Sequence, residues 1–195
     1  VLVVGIGSMF VGILVTGTKI GVRETADAKV SGQLNFVMST IERLIRQSSS
    51  IEKACPDSNP QTCPGGSGDN PDTSGSGPNA VEYAYLKLRM ADPAVDPTCI
   101  SLVSLGGQSG YGAIRVSQGP HPSRPQRCKQ STPGDTITTG DVTVPTSPAG
   151  LKFKNLSNPP AHDVVEVALR MEYANPPPGA EISRALQSAV ARVSA

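Results

Sequence analysis

The run Val1-Leu2-Val3-Val4-Gly5-Ile6-Gly7-Ser8-Met9-Phe10-Val11-Gly12-Ile13-Leu14-Val15-Thr16-Gly17-Thr18 contains no charged side chain, and Lys19 is the first. As a helix, eighteen residues span roughly 27 Å, just short of a bilayer core of about 30 Å. The run therefore predicts a membrane span, completed by a few residues ahead of it. Other readings fit less well. A secretory signal would open on basic residues and end in a cleavage site, and no basic residue precedes this run. A dinucleotide fingerprint would need a third glycine three residues after Gly7, where Phe10 stands. Buried core helices rarely open a chain with so long an uncharged stretch. The chain does not begin with Met, so a processed or trimmed N-terminus is expected.

Beyond Lys19 the helical pattern continues, with no proline before Pro56. Val30, Leu34, Val37, Ile41, Leu44, Ile45 and Ile51 recur at three- and four-residue steps, the spacing of one helix face. Lys29, Asn35, Glu42, Arg43, Arg46 and Lys53 fall opposite. A single helix of fifty-odd residues would be about 80 Å long. Its weak point is Thr16 to Gly21, where two glycines and β-branched residues lower helix propensity. The expected organisation is a hydrophobic half-helix over residues 1–24 and a globular head over 25–195, with a loop-rich stretch at 55–80.

The whole-chain composition limits the functions available. Seventeen Lys+Arg against sixteen Asp+Glu leave a formal net charge of +1, without the basic excess expected of a nucleic-acid binder. Twenty Gly and eighteen Pro among 195 residues mark a loop-rich chain. The apolar residues are nevertheless concentrated enough to exclude uniform disorder.

Residues 56–79 hold five Pro, five Gly and no aliphatic or aromatic side chain, and read as a long loop. Cys55 flanks it, Cys63 lies within it, and Cys99 and Cys128 follow. Four cysteines allow three pairings. Cys55–Cys63 and Cys99–Cys128 are favoured because each closes a loop bounded by turn residues. Zinc is disfavoured by the absence of CxxC spacing and of a nearby His. The even cysteine count, beside a membrane-type N-terminus, points to an oxidising, exported environment. Val81–Leu88 alternates loosely, and 100–103 and 112–116 are short strand candidates. The clearest alternation runs from Val165 to Tyr173, placing Val165, Val167, Leu169, Met171 and Tyr173 on one face. Pro176-Pro177-Pro178-Gly179 forces a turn. Ile182 to Val193 then reads as strand or, being Ala-rich, equally as helix.

A bare aliphatic stalk leading into an amphipathic helix resembles the type IV pilin superfamily, including the pseudopilins of type II secretion. The stretch Phe36-Val37-Met38-Ser39-Thr40-Ile41-Glu42-Arg43-Leu44-Ile45-Arg46-Gln47 is similar to J-type pseudopilins and related minor pilins. Gly150-Leu151-Lys152-Phe153 with Val164–Met171, and the ending Ala185–Val193, look like their late strands. The likeness thus spans most of the chain on degenerate motifs, and it favours strand for Ile182–Val193. Aligning the aliphatic runs makes Val1 the sixth mature residue. The family's leading pentapeptide, with its characteristic glutamate, is not in the sequence: either it preceded Val1 and was trimmed, or this is a subunit built without it, and Gly17 would fall where assembled filaments commonly lose helicity.

The resemblance implies an α+β, pilin-like fold: a long N-terminal helix, hydrophobic stalk plus amphipathic half, packed on an antiparallel β-sheet head. It implies a structural subunit of an extracellular type IV pilus-like filament, with neighbouring copies of the same chain as partners. The filament core would be Val1, Leu2, Val3, Val4, Ile6, Met9, Phe10, Val11, Ile13, Leu14 and Val15. The helix-to-head core would be Val30, Leu34, Val37, Ile41, Leu44 and Ile45. Anchorage in a bacterial inner membrane before assembly, and dependence on prepilin peptidase and the pilus assembly machinery, follow from the same likeness. A minor pseudopilin of type II secretion, or a membrane-tethered binding module using its long loop, are the alternative readings.

No catalytic constellation emerges. His121 and His162 sit in Pro-flanked or polar segments and read as surface residues. Gly107-Gln108-Ser109-Gly110-Tyr111 lacks the closing glycine of a nucleophile elbow. Asp69-Asn70-Pro71-Asp72 lacks a third carboxylate at calcium-ligand spacing. Asn155-Leu156-Ser157 is a formal glycosylation sequon, leaving Asn155 a candidate modification site. Neither enzymatic activity nor a cofactor is expected.

Overall fold

A computed structural model describes residues 2–55, 82–104, 110–122, 124–128, 135–146, 148–156, 163–176 and 181–192; for 2–17, 19 and several strand positions only the backbone is described. Helix α1 (Leu2–Gln47) is followed by β1 (Ser48–Cys55), β2 (Glu82–Met90), β3 (Thr98–Ser104) and β4 (Tyr111–Gln118). A small hairpin, β5 (Pro120–His121) and β6 (Arg124–Cys128), precedes β7 (Val142–Pro145), β8 (Leu151–Asn155), β9 (Val164–Tyr173) and β10 (Ser183–Ala191).

The expected α+β architecture, a long N-terminal helix packed on an antiparallel sheet head of the pilin kind, is corrected by this structure. Among the described residues the structure is mostly β, 51% strand against 27% helix with the helix counted from Ile20 to Gln47, and its sheet is a curled antiparallel one of eight strands. The order is β1-β2-β3-β4-β7-β9-β10, with β8 also paired to β9. The four-residue β7 joins the two halves of the curl. Tyr111 and Gly112 of β4 pair with its Pro145 and Val144, while its Val142 and Thr143 pair with Tyr173 and Glu172 of β9. All four β7 residues are buried. At the β4 contact a Cβ on Gly112 would stand 2.6 Å from the Val103 carbonyl oxygen, so only glycine lets the backbones approach there.

The helix also ends earlier than its hydrophobic spacing predicts. Ile51 and Lys53 belong to β1, which pairs with β2, and not to α1. Ser48-Ser49-Ser50 supplies the reason, since serine side chains compete for backbone hydrogen bonds. The Ser48 hydroxyl donates to the Ile45 carbonyl at 2.7 Å, satisfying an acceptor of the last turn. At the other end, the Thr16–Gly21 segment stays within the continuous helix.

One core fills the curl. Val30, Val37, Ile41 and Ile45 meet Leu86, Ile114, Phe153 and Val167, all wholly buried. Burying each such side chain contributes about 1.5–3 kcal/mol. On β9 buried and half-buried residues alternate: Val165, Val167, Leu169 and Met171 point inward and Tyr173 is half-buried. Strand β2 differs, because both of its faces are covered. Ala84, Leu86 and Leu88 join the main core. Tyr85 packs with the Cys99–Cys128 disulfide on the other face. Also on that face is Lys87, 1% exposed, with its ammonium 2.8 Å from Glu52 Oε1.

Candidate functional site

The helix is the element to which the sequence assigns function, and its attachment to the sheet is built from a stripe and two flanks. The stripe is Val30, Leu34, Val37, Ile41, Leu44 and Ile45, all buried, extended by Ala26 and Met38. Ala26 stands four residues before Val30 and Met38 four after Leu34, so the helical spacing already contained the signal that adds them.

Polar contacts grip both flanks of that stripe. Toward β10, Arg184 Nε and Nη2 donate to the two carboxylate oxygens of Asp27 at 2.8 and 2.7 Å. Further along, the Ser188 hydroxyl donates to Glu42 Oε1 at 2.6 Å. Toward the segment preceding β7, Lys29 Nζ lies 2.9 Å from Asp141 Oδ2. On that same flank the Gln33 amide donates to the Ile137 carbonyl at 2.7 Å. The Arg184 guanidinium holds the Asp27 carboxyl below the usual aspartate range, against a smaller opposing effect of desolvation. Asp141 correspondingly raises Lys29, and Asp27 raises Arg184. Four contacts on two flanks fix the rotation of the helix about its own axis, which an apolar stripe alone would leave loose. No single-sequence signal pairs Asp27 with Arg184, since 157 residues separate them.

Just ahead of the stripe, over residues 20–25, the helix stands clear. Ile20, Gly21, Val22, Arg23, Glu24 and Thr25 are all exposed, and burial begins at Ala26. Ile20 and Val22 are 54% and 52% exposed. A groove of about 440 Å³ lies between this part of the helix and the start of β10, lined by Ile20, Arg23, Asp27, Ile182 and Arg184. A second depression, about 370 Å³, lies over β8, β9 and β10, with Gly150, Lys152, Ala168, Arg170 and Gln187 in its walls. Neither assembles an acid, a base and a nucleophile.

Several sequence-expected residues lie outside the described side chains. These are Val1, Leu2, Val3, Val4, Ile6, Met9, Phe10, Val11, Ile13, Leu14 and Val15 of the expected filament core, with Cys55, Cys63, His121, His162 and Asp69–Asp72. Asn155 closes β8 opposite Val165, its side chain outside the description. Cys99 and Cys128 form a disulfide with Cα atoms 6.0 Å apart. Among the described residues no group of three His, Cys, Asp or Glu could hold a metal ion. Also among them, no helix is long and apolar enough to cross a membrane. No family model, no curated protein and no solved structure matches the chain.

Proposed function

We propose that the chain is a structural subunit that assembles with copies of itself through the N-terminal part of α1, forming an extracellular filament of the type IV pilus kind. The observation that carries this reading is the division of one continuous helix. α1 runs from Leu2 to Gln47, and among its described side chains the buried stripe starts at Ala26. The part ahead of the stripe opens with seventeen uncharged residues, Leu2 to Thr18. Counted from Leu2 to Thr25, 24 residues at 1.5 Å each make roughly 36 Å of helix ahead of that stripe. Its uncharged portion, up to Thr18, gains by burying its aliphatic surface, at about 25 cal/mol per Å². Bundled neighbouring copies provide that burial outside a membrane, and a lipid bilayer provides it before assembly.

The experiment is electron microscopy of material sheared from cells making the chain, with immunogold labelling of the head. Long fibres labelled along their length support the filament. Label confined to fibre ends favours a minor subunit of a secretion apparatus, and label left with the cell envelope without fibres favours a tethered binding module.

A further inference from the structure

Among the described residues three strands of the sheet have a free edge, and one of the three lacks protection. β1 ends the sheet on one side, but its pairing with β2 carries two register shifts, between Ser48 and Ser50 and between Ile51 and Lys53. Such irregularities twist an edge away from further pairing. β8 pairs only with β9, is five residues long, and presents exposed Lys152 and Lys154. Short length and lysines blunt an edge in the same way. β10 has none of these devices. Its nine residues pair with β9 without a register shift, and it contains neither proline nor lysine. Its one charged side chain, Arg184, is already held by Asp27.

The hydrogen-bond phase of β10 shows which groups remain free. Tyr173 N–H donates to the Ile182 carbonyl and Arg192 N–H to the Asp163 carbonyl, at 3.0 and 2.9 Å. Antiparallel pairs that exchange bonds recur every second residue, so even-numbered residues of β10 bond to β9. The N–H and C=O groups of Ser183, Ala185, Gln187, Ala189 and Ala191 therefore point away from the sheet, and all five residues are exposed.

We propose that this edge pairs with the β10 edge of a second copy of the chain, antiparallel, about a two-fold axis at Gln187. The strand is its own complement in that arrangement. Ala185 faces the partner's Ala189, Arg184 faces the partner's Val190, and the two Gln187 residues face each other, so no like charges oppose. Leu186, 38% exposed on the helix side of the strand, comes to lie diagonal to the partner's Leu186, within reach for apolar contact. A closed two-fold contact uses the same patch on both copies. It is independent of the filament reading, since it needs nothing from residues 1–24.

The test uses the full chain with Gln187→Cys, mildly oxidised and examined on non-reducing gels, with the bond mapped by peptide mass spectrometry. Bonded antiparallel pairs hold their Cα atoms about 5.5 Å apart, inside the disulfide range of about 4.4–6.8 Å. The expected result is a covalent dimer joined at residue 187, and none for Lys154→Cys, which sits on a protected edge. Adding Ala189→Pro or Ala185→Pro removes an N–H that β9 does not use, so the head keeps its fold by circular dichroism while the cross-link is lost. If a proline disturbs the head, Ala185→Glu with Ala189→Glu sets carboxylates opposite one another and must also abolish the cross-link. Absence of the bond at residue 187, equal cross-linking through Lys154→Cys, or persistence in the folded proline or glutamate variants overturns the proposal.

Discussion

Asp27 and Arg184 meet through two hydrogen bonds, and Lys29 meets Asp141 through one. These exposed contacts set the pH behaviour of the helix clamp. The Arg184 hydrogen bonds lower the Asp27 pKa in the folded chain. A depressed folded value makes the carboxylate stabilising above the unfolded value of about 3.9, and that contribution disappears as pH falls through the lower folded value. Lys29 has the opposite sign, because Asp141 raises it. Its contribution is complete below an unfolded value of about 10.4 and is lost as pH rises through the raised one. Salt screens both pairs. Asp27→Asn is therefore expected to flatten the fall of the urea midpoint between about pH 5 and pH 2. Comparing that slope with the parent chain at low and high salt checks it, and equal slopes at low salt contradict the assignment.

Among the elements, the β5–β6 hairpin and the curl depend on different things. The Cys99–Cys128 bridge spans 29 residues and ties β6 to β3. Closing such a loop restricts the unfolded chain by roughly 3.5 kcal/mol on a chain-entropy basis. Replacing both cysteines by serine should lower the melting temperature on the order of 10 °C. Calorimetry decides, and an unchanged melting temperature would remove the bridge from the account. The curl depends on packing: Phe153 of β8 is wholly buried in the shared core. Phe153→Ala is expected to cost about 3–5 kcal/mol, measurable by urea unfolding. The legibility of these elements in the sequence follows their burial. β9 alternates because only one face is wholly buried. β2 reads as irregular because Tyr85 and Lys87 are buried behind Leu86 and Leu88. Ile51 mimics the next turn of the helix, and its place in β1 follows from the serines before it.

At the scale of the molecule, the apolar stripe of α1 was legible because it is local, whereas the curled sheet was not. Its joints are two-residue pairings of β7 with strands on either side, contacts between segments distant in sequence that periodicity does not register. The clamp escaped for the same reason: it joins Asp27 and Lys29 to residues more than a hundred positions away. What remains after the head is assembled is an uncharged opening of the chain joined to a finished domain, and the proposed self-assembly rests on that division. Val11→Asp tests it most directly. The substitution lies well ahead of Ala26, the first helix side chain buried among those described, so the head should keep its circular dichroism and melting temperature. In a dry bundle the same unpaired carboxylate costs several kcal/mol. The account predicts that cells making Val11→Asp show a folded head and no fibres by electron microscopy. Fibres in normal number and length from that variant would contradict it.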